Sequence, residues 1–288
     1  MVRRASLWSG RRGLALLSCG ALLLAALLQG RFEARAAPRA EVDPMLYLPS
    51  GRYLKVASLG FDEILADLIY LWSIQYYGNY DIEDRYLYLE HIYDQVVSEL
   101  DPHYLDPYLV GSLIMNLEAD DPELALRLLD KGIAHNPDRW ILAFEAGFLC
   151  YNDLGDHARA AGYFEQALRS PDVHPLVRRL YAEMHNRAGD KRTSLREWAE
   201  IYDTSDDEYV REIAWKHVHD LKIQIDLADL NDAIAAYRER FEAWPRHLEA
   251  LRREGLVDGI PLDPDGNDYR YDHRTGRATH EGGLVVGG

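Results

Sequence analysis

The chain has 288 residues, 48% of them apolar, which is enough to bury a sizeable core and excludes a disordered tail. A formal net charge of −16 argues against nucleic acid or anionic lipid as a partner, because phosphates would be repelled rather than relieved of counterions. With only Cys19 and Cys150, no disulfide framework or cysteine metal site can be built.

The amino terminus differs from the rest. Arg3, Arg4, Arg11, Arg12, Arg31 and Arg35 against Glu33 give residues 1–36 a charge of +5, leaving −21 for the remainder. Between the arginines, Gly13 to Gly30 is an uncharged apolar run. As a helix it reaches roughly 27 Å, just enough to cross a hydrocarbon core. The arginines stay on the cytoplasmic side, so the rest of the chain is exported. Residues 1–36 therefore read as a transmembrane anchor or a signal peptide, with Ala34-Arg35-Ala36 as the cleavage pattern in the second case. The "LLSC" ending at Cys19 resembles a lipid-attachment site, but the most apolar stretch follows this cysteine, which favours a cysteine inside an apolar helix. The expected location is a bacterial inner membrane with the soluble part in the periplasm, or the periplasm alone after cleavage.

Residues 37–58 read as a linker ending in a Pro-Ser-Gly turn. Residues 59–105 read as capping helices or a divergent repeat. From Phe61 the pattern is helical and apolar on nearly every side, which calls for cover all round or a docking surface for a membrane partner. Asp62, Glu63 and Asp67 argue against a second span. Further on, Tyr86, Leu89, Tyr93, Val96, Val97 and Leu100 share one helical face, while Tyr80 and Tyr88 fall off it and are the better interface candidates.

A repeat then sets in. "DDPELALRLLDKGIAHNP", "GDHARAAGYFEQALRSP" and "GDKRTSLREWAEIYD" align so that a Gly-Asp or Asp-Asp turn precedes a small residue (Ala125, Ala160, Ser194). Four residues on comes a large apolar one (Leu129, Phe164, Trp198), then Gly132, Ala167 or Ile201, and the first two copies close at Pro137 and Pro171. Units begin near residues 106, 141 and 175. Small residues let two helices approach, large ones at helical spacing fill the gap, and one pair cannot bury its face alone.

The pattern resembles the tetratricopeptide repeat (TPR). In the middle copy Phe144, Tyr151, Gly155, Asp156, Ala160, Tyr163, Phe164, Ala167 and Leu168 occupy that family's signature positions. The resemblance implies an all-α, right-handed solenoid over residues 106–247, with divergent copies at both ends; the downstream one starts near residue 214 and carries Ala233, Tyr237 and Pro245. It also implies a protein-binding groove lined by the first helix of each unit. Those positions are Gln75 and Asn79; Val110, Ile114 and Leu117; Glu145, Leu149, Asn152 and Asp153; and Arg179, Glu183, Asn186 and Arg187. The acidic middle suits an extended segment with basic residues.

The chain has no P-loop, nucleophile elbow, His-Glu-x-x-His or Gly-rich dinucleotide turn. His217 and His219, two apart on a helix, point away from each other and read as a solvated pair rather than metal ligands. No catalytic residue, metal or cofactor is assigned, and the chain is read as a non-enzyme.

Residues 248–280 read as a helix followed by a β-hairpin lid lying on it, and residues 281–288 as a loose tail. Ile260, Pro261, Asp263, Pro264, Gly266, Tyr269 and Tyr271 resemble the carboxyl-terminal part of type II secretion pseudopilins. In some of these the tail holds calcium, for which Asp263, Asp265, Asn267 and Asp268 would be the oxygen donors; turn formation is the simpler reading. Tyr269 and Tyr271 share a strand face, and His273 to Gly276 makes the turn. The expectation is a membrane-tethered periplasmic scaffold or assembly factor that binds a protein partner of an envelope complex, with secretion or type IV pilus machinery suggested by the tail alone. A small-ligand or calcium-binding module and an uncharacterised enzyme are the alternatives.

Overall fold

The computed structural model describes residues 48–80 and 86–280, which are mostly helical with one small antiparallel hairpin near the carboxyl end. The anchor or signal segment, Cys19 and the tail 281–288 lie outside the described residues. Among the described residues no helix is long and apolar enough to cross a membrane.

Helix α1 (Gly51–Ala57) precedes α2 (Asp62–Tyr77). A second helical stretch then runs through α3 (Leu87–Glu90), a π-helical segment (His91–Val97) and α4 (Ser98–Leu100). Three helix pairs follow: α5 (Asp106–Leu117) with α6 (Pro122–His135), α7 (Trp140–Asn152) with α8 (His157–Ala167), and α9 (Leu176–Arg187) with α10 (Lys191–Thr204). Helix α11 (Glu208–Phe241), the short α12 (Glu249–Arg253), and strands β1 (Arg270–Asp272) and β2 (Arg277–Thr279) complete the order.

One turn chemistry makes all three pairs. The side chains of Asp121, Asp156 and Asp190 accept hydrogen bonds from the amides of Leu124, Arg159 and Thr193, at 2.9, 3.0 and 3.1 Å, and so cap α6, α8 and α10. The residue before each cap has left-handed backbone: Asp120 at φ 53°, Gly155 at 63° and Gly189 at 90°. Glycine adopts that conformation freely, and aspartate is one of the few other residues that visits it. The amides of Asp121 and Asp156 also close on the carbonyls of Met115 and Cys150, so the first two turns share a second bond.

The repeat columns fall where close packing needs them. Ala125, Ala160 and Ser194 are fully buried, as are Phe164 and, nearly so, Leu129 and Trp198. A β-carbon added at Gly132 would lie 2.8 Å from the Tyr108 ring, and one at Gly147 would lie 2.8 Å from the Phe164 ring. The missing side chains are therefore what lets an aromatic ring of one helix approach the backbone of its partner closely. From α5 to α11 each helix packs on its neighbours in sequence, and α5 also touches α7.

Four expectations need correction. The end of the presumed linker is ordered: α1 packs on α4, Gly51 is buried, and the Arg52 amide donates to Glu99 at 2.8 Å. Tyr88 is not an interface residue but buried, edge-on to Tyr76 at 6.1 Å and stacked on His91. The face read from the sequence is buried as expected at Leu89, Tyr93, Val96, Val97 and Leu100; Tyr88 is buried as well because this stretch is covered on a second side, where Tyr76 and His91 meet its ring. Tyr80, by contrast, is strongly exposed.

The third correction concerns the downstream unit, which is one uninterrupted 34-residue helix and not a pair. No glycine or proline breaks it, and its two halves have different partners. Ala214 and Leu221 pack with Ala182, Trp198 and Ile201, whereas Ile223, Leu227, Leu230 and Ile234 pack with Leu248, Leu251, Tyr269 and Ala278. The fourth concerns the lid. The antiparallel hairpin forms with its turn at His273–Gly276, but it lies on α11 as well as on the last helix, whose Leu251 shares a buried cluster with Tyr269 and Ala278. Asn231 of α11 accepts the Ala278 amide at 2.9 Å, and the Tyr271 hydroxyl donates to the Pro245 carbonyl at 2.8 Å.

Candidate functional site

Helices α5 and α7, the first members of two consecutive pairs, lie side by side and leave a groove of about 490 Å³ between them. The spacing of residues along α5 decides what it shows there. Ile114 turns inward and is buried, while Val110, Leu113, Asn116 and Leu117 line the groove. From α7 come Glu145, Phe148, Leu149, Asn152 and Asp153. Six of the expected binding residues are thus brought together: Val110, Leu117, Glu145, Leu149, Asn152 and Asp153.

The walls are unusually apolar for a surface. Leu113, Leu117 and Phe148 are 56%, 68% and 42% exposed, while Leu149 forms a nearly buried part of the lining. Phe148 is held by a stacked contact with Phe144 at 6.1 Å and an edge contact with Tyr151 at 6.2 Å. Against this apolar surface sits Glu145, half-buried, with no hydrogen-bond or ion-pair partner among the described residues. Desolvation holds its carboxyl above the usual carboxylate range. The charged residues of the lining are Glu145 and Asp153, both acidic.

The other expected residues lie elsewhere. Arg187 is paired with Glu183 at 2.8 Å and lies over the Tyr151 ring at 5.5 Å, so it braces α9 against α7. Arg179 lines a separate groove of about 680 Å³ with Val173, Pro175, Ile201 and Val210; beside it Arg178 is tied to Glu197 and Glu200. Asn186 is half-buried on α9 and lines neither groove. Gln75 and Asn79 are exposed but line neither groove as well, because α2 packs mainly on the π-helical segment and α4.

Leu113, Asn116 and Phe148 are groove residues that the repeat spacing alone did not single out. Their signal was available: Leu113 is three residues from Val110 and Phe148 three from Glu145, so each lies on the adjoining helical row.

Several other titratable groups among the described residues are taken up structurally. Cys150 is a buried free thiol pushed up to about 11, chiefly by desolvation, and so stays protonated at neutral pH. His217 is not a solvated side chain: it stacks on Trp198 at 4.0 Å with its pKa lowered by burial. Burial works against protonation of His219 too, but hydrogen bonds to Asp265 and Asp220 outweigh it and raise its pKa. Asp263 accepts the Asp265 and Asn267 amides at 3.0 and 2.7 Å and contacts the His280 ring at 3.1 Å, which commits its carboxylate to the turn. Among the described residues no group of histidine, cysteine and acidic side chains is arranged to hold a metal ion. No protein-family model matches the chain, and no curated protein shows significant similarity to it.

Proposed function

We propose that this protein is a membrane-tethered periplasmic scaffold or assembly factor whose helix pairs stack as a TPR-like right-handed solenoid and hold a segment of a protein partner in the α5–α7 groove. The observation that carries the reading is the composition of that groove: exposed leucine and phenylalanine walls, an unpaired carboxylate, and the amides of Asn116 and Asn152 at one end. Such a surface offers apolar burial and hydrogen bonding to a peptide backbone.

Three further points support it. The shared Asp-capped turn and the buried columns of small residues recur at the repeat spacing, as stacked helix pairs require. The basic and apolar stretch within residues 1–36 suits an inner-membrane tether. The hairpin with its "IPLDPDGNDYRY" lead-in suits a role beside secretion or pilus machinery, on resemblance alone.

Affinity capture of the full chain from solubilised bacterial membranes tests the reading, with Leu117→Lys as the control. Leu117 is exposed, so the substitution blocks the groove without emptying the core. The expected result is a discrete partner retained by the native chain and lost from the variant. A partner set that is the same for both would overturn the groove as the binding site.

A further inference from the structure

The groove asks for a particular kind of segment. Glu145 is half-buried beside Phe148 and Leu149, and the lining contributes no lysine or arginine to answer it. Asp153, on the same helix, adds a second negative charge. A partly desolvated carboxylate without a partner is costly to keep, and its desolvation cost is offset when a charged donor approaches along with the apolar surface that excludes water. The apolar part of such a donor is also provided for. Leu113 and Leu117 face the groove from α5 one helical turn apart, and Phe148 faces it from α7.

We infer that Glu145 selects an arginine or lysine in the bound segment, next to an apolar residue that packs against Leu113, Leu117 and Phe148. This deepens the proposed function and rests on it. The segment is extended, its backbone amides and carbonyls meet Asn116 and Asn152, and its cation reaches Glu145 past the aromatic edge of Phe148. An arginine fits best, since its planar guanidinium both stacks on the ring and donates two hydrogen bonds to one carboxylate. The groove's two carboxylates, Glu145 and Asp153, fall short of the oxygen set that a hard cation takes, and among the described residues no group of acidic, histidine and cysteine side chains is arranged to hold a metal ion.

The test uses the full chain in detergent micelles and a positional-scanning library of synthetic octapeptides, compared with the Glu145→Gln variant, which keeps the shape and removes the charge. The native chain should enrich arginine or lysine at one position next to an enriched leucine, isoleucine or phenylalanine. Glu145→Gln should lower affinity for the selected basic peptides roughly tenfold and leave the apolar preference in place. Replacing the selected arginine by neutral, near-isosteric citrulline should give the same loss on the unaltered protein, which keeps the test decisive if the variant folds poorly. Apolar selection without basic selection, or basic selection indifferent to both changes, overturns the inference and leaves the groove reading standing. No selection of any kind overturns both.

Discussion

The Tyr269 hydroxyl donates to a carboxylate oxygen of Asp226 at 2.8 Å, joining the carboxyl-terminal cap to the middle of α11 across 43 residues of chain. Both residues are buried, and Asp226 is also bonded to Lys222, one turn earlier on α11. Removing the hydroxyl leaves the buried carboxylate with Lys222 alone. Tyr269→Phe should therefore cost about 1–3 kcal/mol. Urea denaturation reads this as a lower midpoint at unchanged slope. Unchanged stability would mean that the cap does not depend on this bond.

Glycine positions give the second prediction. At Gly147 a methyl group has no room beside the Phe164 ring, so Gly147→Ala should destabilise by about 1–3 kcal/mol. Gly162 lies on the exposed side of α8 with open space around it. There the same substitution gains helix propensity alone and should stabilise by up to about 1 kcal/mol. Thermal melts of the two variants should move in opposite directions, and a common direction would contradict the packing described for α7 and α8.

The hairpin should respond to acid. The Asn267 amide holds the Asp263 carboxyl below the usual carboxylate range, outweighing desolvation, with help from His280, the Asn267 side chain and the Asp265 amide. A folded-state pKa below the unfolded value contributes stability that is fully present above about pH 4 and is lost as pH falls through the depressed value. The stability difference between the native chain and Asp263→Asn should accordingly be constant near neutrality and shrink below about pH 4. A difference that persists undiminished near pH 2 would assign the effect of the substitution to packing instead. Because Asp263 is occupied by turn contacts, a chelator should leave the melting temperature unchanged; a drop would favour calcium in this turn.

What the sequence made legible is what local spacing controls. Asp121, Asp156 and Asp190 could be read as turns because a capping aspartate followed by a small residue and a large one has few other meanings. The hairpin turn after Asp272 was legible for the same reason: it is written in consecutive residues. The nature of α11 was not, because Ala233, Tyr237 and Pro245 imitate the second half of a repeat, while the absence of any breaker before them is a silent signal. The burial of Tyr88 was not legible, because a single helical face does not tell that a second side is also covered, and that depends on how α2 and α5 enclose the stretch. In the groove, repeat position identified Glu145, Asn152 and Leu117. It did not identify Leu113 and Phe148, since a groove between two helices draws on two adjoining rows of each, and one row per helix was all the repeat alignment supplied.

The most direct measurement is photocrosslinking in intact cells, with a benzophenone side chain placed at Leu117 or Phe148 in the groove and, for comparison, at Arg127 or Glu165, exposed on the second helices of their pairs. Illumination should give discrete protein adducts from Leu117 and Phe148 and none from Arg127 and Glu165. Adducts of equal yield at all four positions, or none from the groove, would contradict a partner held between α5 and α7.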